Sequence, residues 1–213
     1  RCLEAGDEVA LRGLFVTKTE TREGQPARPS VVPVGRLELD LGDGAVLQDG
    51  QLAPHTGEIQ VRYEQAGEMH TLTIVLGMEA NVLAVKFADG AAVQVRDLPA
   101  WDTLGGALES ISFPPPLRLA DNPPGGWVQD LPTDPGIAVL HQRTGDTLWV
   151  VTARGQDEAA TLGAGKALLA EATTTGLKAL QDRNNAWWNN YWRDVPALKM
   201  PNAKLEALYV YGM

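Results

Sequence analysis

The chain has 213 residues, of which 44% are hydrophobic, so it is long enough to bury a substantial core as one large domain or as a domain with an appendage. Eighteen basic and twenty-seven acidic residues give a formal net charge of −9. This balance argues against a nucleic-acid partner, because phosphate binding requires clustered Lys and Arg. The single cysteine, Cys2, excludes an intramolecular disulfide, a thiolate zinc site and a CxxC redox motif.

Segments with alternating apolar residues follow one another from the start of the chain. Residues 8–18 are rich in Val, Leu, Phe and Thr and predict a strand. Four further segments alternate with a period of two and are bounded by Gly, Asp or Asn, namely 34–42, 57–65, 70–77 and 81–90. This alternation is typical of an antiparallel sheet with one covered face. Short turns between residues 58 and 87 predict that three consecutive strands form a meander.

The middle of the chain interrupts the sheet and then resumes it. Residues 91–97 predict a strand, and the prolines between 114 and 124 indicate a sheet-edge crossing or a long surface loop, because proline cannot donate to a ladder. Residues 126–155 predict three more strands, the last two joined in a hairpin that turns at Arg143 to Asp146. Nine or ten strands are too many for one open sheet. We therefore expect a mainly β fold, a large antiparallel β-sandwich followed by C-terminal helices.

Beyond Gly155 the apolar spacing becomes that of helices. Residues 157–172 predict a helix with acidic residues in its first turn, where they complement the helix dipole. A second helix begins near Thr173, and we expect it to end between Arg193 and Pro196, because the residue before a proline disfavours helical geometry.

A third helix is predicted at the end of the chain, with Asn202 as its N-cap. The helical pattern still continues at Met213, and the chain opens without an initiator methionine or a signal-peptide pattern, so we expect it to be trimmed at both ends. The expected parts are a β-sandwich domain at 1–154, a helical linker at 155–201 and the truncated start of a helical domain at 202–213.

The second helix carries the most distinctive feature of the sequence, an aromatic stripe. Its apolar side falls at spacings of three and four residues, and three of the six tryptophans lie between residues 187 and 192. The aromatic members of the stripe are Trp187, Trp188, Tyr191 and Trp192. Each such ring can bury on the order of 150 to 250 Å². We interpret the stripe as a face that packs against another part of the protein, with a sugar-stacking platform as the alternative.

No segment predicts a catalytic, cofactor or metal site. The stretch GAGKA at 163–167 resembles a phosphate loop, but it lacks the first glycine of that motif and the Ser or Thr after its lysine. The histidines are scattered, without an HxxxH or HxH pair, at His55, His70 and His141. There is no GxSxG nucleophile motif, and no pair of carboxylates is marked as a glycosidase pair. We therefore expect no cofactor.

The last stretch of the chain, GLKALQDRNNAWWNNYWRDVPALKMPNAKLEALYVYGM at 176–213, resembles the join between domains in glycoside hydrolases related to family 95, the α-L-fucosidase and α-L-galactosidase group with its bacterial relatives. The four aromatic residues of the stripe match the linker helix of that family. The start of its first barrel helix is matched by Leu205, Leu208 and Tyr209. Residues 49–85 are similar to the β-domain of the family in the order of their elements.

The resemblance implies an N-terminal β-supersandwich and a helical linker that lead into an (α/α)6 barrel. It also implies an inverting exo-glycosidase, which uses a general acid and an activated water. In that family the catalytic residues lie in the barrel, so none is carried over to this chain. The implied partners are the barrel itself and, through it, an oligosaccharide or polysaccharide. The implied location is periplasmic or extracellular.

Two other readings remain open at the level of sequence. A stand-alone carbohydrate-binding module would need tryptophans exposed on a loop rim, and Trp101 and Trp127 are the candidates for stacking on sugar rings. A plain structural or docking domain would need no ligand at all. No run of about 18 apolar residues is present, so we expect neither a membrane-spanning helix nor a membrane partner.

Overall fold

The structure, a computed structural model, describes residues 33–87, 93–110, 112–119, 123–131, 134–196 and 198–212. Within these ranges it contains ten strands and four helices. The strands are β1 Gly35–Asp40, β2 Val46–Ala53, β3 Glu58–Gln65, β4 Glu68–Leu76, β5 Val82–Phe87, β6 Gln94–Pro99, β7 Leu117–Arg118, β8 Gly125–Gln129, β9 Gly136–Thr144 and β10 Thr147–Gly155. The helices are α1 Trp101–Ser110, α2 Glu158–Thr175, α3 Leu177–Asp194 and α4 Ala203–Gly212. The predicted mainly β fold with C-terminal helices is confirmed.

The strands form two antiparallel sheets. Eight of the described strands make one sheet in the order β2-β3-β4-β5-β10-β9-β8-β7, and β1 pairs with β6 in a second sheet that we call the ribbon. The predicted meander is confirmed, because β3, β4 and β5 are consecutive neighbours. The predicted hairpin is also confirmed, since β9 pairs with β10 along its whole length. The strand predicted at 8–18 lies outside the described residues.

The two-residue strand β7, which follows Pro116, was not predicted from the sequence, and two longer elements were also missed. Strand β2 lies at the edge of the large sheet, is exposed at most positions and is irregular between Leu47 and Asp49, so it shows little apolar alternation. Helix α1 contains Gly105 and Gly106, which have low helix propensity, and buries only Leu108. In both cases tertiary contacts compensate for a weak local signal.

The central strands of the large sheet bury both of their faces, so the prediction of a single covered face is wrong for them. In β10, Leu148 and Val150 pack towards the ribbon, whereas Trp149 and Val151 pack towards α2 and α3. We call these the ribbon-covered face and the helix-covered face. A strand buried on both sides reads as a continuous apolar run, which is what residues 148–151 show.

Helix α2 lies against the helix-covered face, and its sequence explains how closely it approaches. Asp157 is the N-cap, because its side chain accepts a hydrogen bond from Ala160 N at 2.7 Å, so it stands one residue before the predicted first turn. Gly165 is buried, and a Cβ there would lie 2.7 Å from Leu140 Cδ1. Gly165, the second glycine of the GAGKA stretch, therefore lies inside the helix and allows α2 to pack closely on the sheet.

Two predicted boundaries of the C-terminal helices are confirmed. Helix α3 ends at Asp194, followed by Val195 in an extended conformation ahead of Pro196. Asn202 caps α4, since its Oδ1 accepts a hydrogen bond from Lys204 N at 2.9 Å. Across the part of the chain that the structure describes, no helix combines the length and apolar character needed to cross a membrane.

Candidate functional site

The first half of α3 is attached to the ends of strands β3 and β4. Leu180 and Asn184 are buried, and Asn184 Nδ2 donates to the Leu76 carbonyl at 2.6 Å. Asn184 Oδ1 in turn accepts from Met78 N at 3.1 Å. A buried amide with hydrogen bonds on both of its polar atoms favours one position of α3 against the strand ends, because any shift of the helix would leave donors and acceptors unpaired. These contacts place the aromatic stripe at one corner of the large sheet.

The aromatic residues of α3 pack against one another in two layers. Trp187 and Tyr191 stack with ring centroids 5.4 Å apart and an interplanar angle of 9°. Trp188 and Trp192 stack with centroids 6.3 Å apart, and Trp188 meets Trp187 edge-on at 4.9 Å. All four rings are half-buried. The predicted stripe is therefore present, with pairs four residues apart on one helix face.

The turn between β2 and β3 supports the tryptophans. Trp192 Nε1 donates to the Pro54 carbonyl at 2.6 Å, and His55 meets the Trp192 ring edge-on at 5.3 Å. Gly57 has φ +67°, and a Cβ there would lie 2.2 Å from Trp188 Nε1. Only glycine both adopts this backbone conformation at no cost and leaves room for the Trp188 ring.

A cavity of about 260 Å³ opens beside these rings, and we call it the aromatic groove. Its walls are Trp188 and Trp192 from α3, side chains from the ends of the strands, and Val210 from α4. The strand-end residues are Leu52, Ile59, Leu76 and Met78. Three of them are unusually exposed for aliphatic side chains at the end of a sheet: Leu76 to 56%, Leu52 to 46% and Ile59 to 38%. The groove is thus an apolar surface open to solvent.

Helix α4 carries two further exposed apolar side chains. Leu205 and Leu208 are 52% and 66% exposed. The helix is held by Tyr209, whose hydroxyl donates to the Pro196 carbonyl at 3.0 Å, and by Glu206, whose carboxylate accepts from Met200 N at 3.1 Å. The leucine side chains of α4 therefore remain available for a further contact.

The two tryptophans considered for sugar stacking differ sharply. Trp127 is only 1% exposed and lies beneath the ribbon, where a Cβ on Gly35 would be 2.8 Å from the Trp127 ring. Its ring faces are covered by protein, so the stacking role considered for Trp127 is wrong. Trp101 begins α1 and is half-buried, with Gly105 one turn later against its ring. Sugar stacking by Trp101 stays a prediction.

The histidines occupy three separate environments. His141 Nε2 lies 2.9 Å from Asp97 Oδ1, which joins the large sheet to the ribbon. His70 stacks on Tyr63 with centroids 5.1 Å apart, and His55 contacts Trp192. Among the described residues there is no group of three or more His, Cys, Asp or Glu side chains that could hold a metal ion.

The sequence analysis recognised only one wall of the groove. The tryptophans were found from their helical spacing, whereas Leu52 lies on the unrecognised strand β2 and Gly57 in the turn that follows it. Ile59 and Leu76 lie on predicted strands, but their exposure depends on what covers the strand ends. A glycine next to a predicted strand is the one local signal that could have indicated close approach of another residue.

Comparison with known proteins leaves the interpretation to the geometry. No family model matches the chain, and no curated protein matches it in sequence.

Proposed function

We propose that this chain is the N-terminal, non-catalytic β domain and helical linker of a glycoside hydrolase similar to family 95. In this proposal the aromatic groove and the exposed leucines of α4 bind the catalytic (α/α)6 barrel of the same protein. The observation that carries the proposal is the apolar groove between α3, α4 and the strand ends, because it is a surface suited to a protein partner. The family itself comes from the resemblance of residues 176–213.

The chemistry of the groove favours a protein surface over a sugar. A bound sugar needs hydrogen-bonding side chains for its hydroxyl groups as well as an aromatic ring to stack on. The groove walls are aliphatic and aromatic, and Trp192 Nε1 already donates to the Pro54 carbonyl. Trp188 Nε1 lies against Gly57, is buried and has no hydrogen-bond partner among the described residues, so it offers no donor to a sugar hydroxyl. An apolar helix face would cover these side chains without leaving sugar hydroxyls unpaired.

In the proposed enzyme the β domain would position the barrel, and the barrel would perform the hydrolysis. Inverting glycosidases use one carboxylic acid to protonate the leaving oxygen and one carboxylate to activate a water on the opposite side of the sugar ring. Both groups would belong to the barrel. The substrate class would be an oligosaccharide or polysaccharide that ends in an α-L-fucose-like sugar, and the enzyme would be periplasmic or extracellular.

The first experiment is to sequence the coding DNA through and past the codon for Met213. A frame that continues for some hundreds of codons with a helix-rich pattern and acidic residues on the connecting loops supports the proposal. A stop codon directly after Met213 contradicts it, because no barrel would then exist.

A second experiment measures hydrolysis of an aryl α-L-fucoside by this 213-residue chain and by the complete gene product. We expect activity from the complete product alone. Hydrolysis by the 213-residue chain would show that it contains its own catalytic groups. In the complete product, Trp188→Ala should lower activity and Trp101→Ala should leave it unchanged, since Trp101 lies away from the groove.

The alternative is a stand-alone carbohydrate-binding module, and the partial exposure of Trp101 favours it. The two proposals differ in the expected effect of single substitutions. A module would bind glycans on an array, lose that binding in Trp101→Ala and keep it in Trp188→Ala. Absence of glycan binding by the unsubstituted chain would rule the module out.

A further inference from the structure

A second cavity, of about 530 Å³, lies between the ribbon and the large sheet, and we call it the β1 cleft. One wall consists of four consecutive residues, Val34 to Leu37, at the start of β1. Successive residues of an extended chain point to opposite sides. A cavity that touches both Arg36 and Leu37, successive residues of the strand, therefore reaches the edge of β1 as well as one of its faces.

The edge of β1 that borders this cleft has no strand partner among the described residues. Within the described ranges β1 pairs with β6 alone, over its full length from Gly35 to Asp40. In an antiparallel pair, alternate backbone N–H and C=O groups of each strand point away from the partner. Proteins usually cover or blunt such an edge, because it can accept another strand.

The floor of the β1 cleft is apolar. Leu83, Ile137 and Val139 come from three positions on the ribbon-covered face of the large sheet, and Trp127 lies among them. A bound segment with apolar side chains would therefore cover this floor.

The charged residues of the cleft are both basic. They are Arg36 and Arg154, and none of the described residues that line the cavity carries a carboxylate, although the chain as a whole has a net charge of −9. Arg36 lies 2.7 Å from Glu38, and Arg96 binds the same carboxylate. Two guanidinium groups share one carboxylate, so these three side chains together keep a net positive charge. Arg154 is exposed at the cleft. An acidic partner is therefore favoured over a basic one.

We propose that the β1 edge binds an extended segment of another protein as an added β-strand. The segment would pair with the backbone of β1, place apolar side chains on Leu83, Ile137 and Val139, and present acidic side chains to Arg154. Strand addition of this kind takes affinity from backbone hydrogen bonds and specificity from alternate side chains. The site is separate from the aromatic groove, and it does not depend on the proposed glycosidase function.

The experiment uses the 213-residue chain and a fluorescent, end-blocked seven-residue peptide in which glutamate and valine alternate. Fluorescence anisotropy measures its affinity. We expect saturable one-to-one binding, weakened about tenfold when alternate backbone nitrogens of the peptide are methylated, because the ladder hydrogen bonds are lost. A peptide with lysine in place of glutamate should also bind several-fold more weakly. Hydrogen exchange of amides in residues 34–39 should slow when the glutamate peptide binds.

Variants of the chain locate the binding. Arg154→Glu should weaken binding of the glutamate peptide about tenfold by placing a like charge beside it, and Arg193→Glu on α3 is the matched control that should leave binding unchanged. Three results would each overturn the proposal: no saturable binding at about 1 mM peptide, equal binding of the methylated peptide, or equal effects of the two arginine variants. Displacement of the peptide as the chain concentration rises would show instead that a second copy occupies the edge.

Discussion

The two halves of α3 make opposite use of their apolar side chains. In the half from Leu177 to Asn184, Leu180 is 4% exposed and Asn184 is 2% exposed, and both pack on the large sheet. In the half from Trp187 to Trp192 the rings are half-buried and border a groove. The first half of α3 is thus packed within the described structure, whereas the second half leaves apolar surface exposed to solvent.

Hydrogen bonding explains why the first half of α3 is attached more firmly to the large sheet than the second half. Asn184 satisfies two backbone groups at the end of β4, whereas in the aromatic half Trp192 Nε1 donates to the Pro54 carbonyl in the turn between β2 and β3. The rings of the aromatic half also stack on one another. This helix is therefore anchored by a buried aliphatic residue and a buried amide, and its largest side chains border the groove.

The largest loss of stability should come from Leu180→Ala. This change leaves a cavity in the core cluster of the helix-covered face and should lower the free energy of unfolding by about 2–5 kcal/mol. Urea denaturation measures the loss. Leu205→Ala is the control, because Leu205 is 52% exposed and should cost less than about 0.5 kcal/mol. Equal losses in the two variants would mean that α3 is not anchored by Leu180.

Asn184→Leu should cause the second-largest loss of stability. Leucine fills a similar volume but leaves the Leu76 carbonyl and the Met78 amide without their partner, at a cost of about 2 kcal/mol. The exposed Asn189 on the same helix provides the matched control, Asn189→Leu. If urea denaturation gives the same midpoint for both variants, the buried amide does not determine how α3 is attached.

Gly57→Ala tests the close contact between Gly57 and the Trp188 ring. The positive φ and the collision of the new Cβ with the Trp188 ring should together cost about 1–2 kcal/mol and shift the tryptophan fluorescence. Gly67→Ala separates the two causes, because Gly67 also has a positive φ, +83°, but has nothing within 4 Å of the new Cβ. The fluorescence shift should be specific to Gly57→Ala. A shift in both variants would contradict the contact with Trp188.

The smallest effect is expected for Trp192→Phe. The ring is largely retained and the hydrogen bond to the Pro54 carbonyl is lost, so the free energy of unfolding should fall by about 1 kcal/mol. Trp187→Phe is the control, since its ring stacks on Tyr191 and that contact survives the change. A larger loss for Trp187→Phe than for Trp192→Phe would reverse our ranking of these contacts.

The positions of the tryptophans on a helix could be predicted from the sequence, but their burial could not. The period of three to four residues was enough to predict that Trp187, Trp188 and Trp192 share one side of a helix, because helix geometry is local. No local pattern distinguished Trp127, which is buried beneath the ribbon, from Trp101, which is half-buried at the start of α1. Their burial depends on which distant segment lies on top of them.

Elements that depend on near neighbours in the chain were predictable without the structure. These are the alternating strands β3 to β5, the β9–β10 hairpin, the end of α3 before Pro196 and the cap of α4 at Asn202. Each follows from backbone geometry or from a hydrogen bond within a few residues.

Long-range packing determines which faces of the strands are covered and where apolar surface is left open. The bond from Asn184 to Leu76 joins residues 108 positions apart, and the aromatic groove brings β2, β4, α3 and α4 to one corner. A hydrophobic pattern specifies which side chains share a face, but it contains no information on what will cover that face. The groove and the β1 cleft exist because long-range packing covers some of these faces and leaves others exposed.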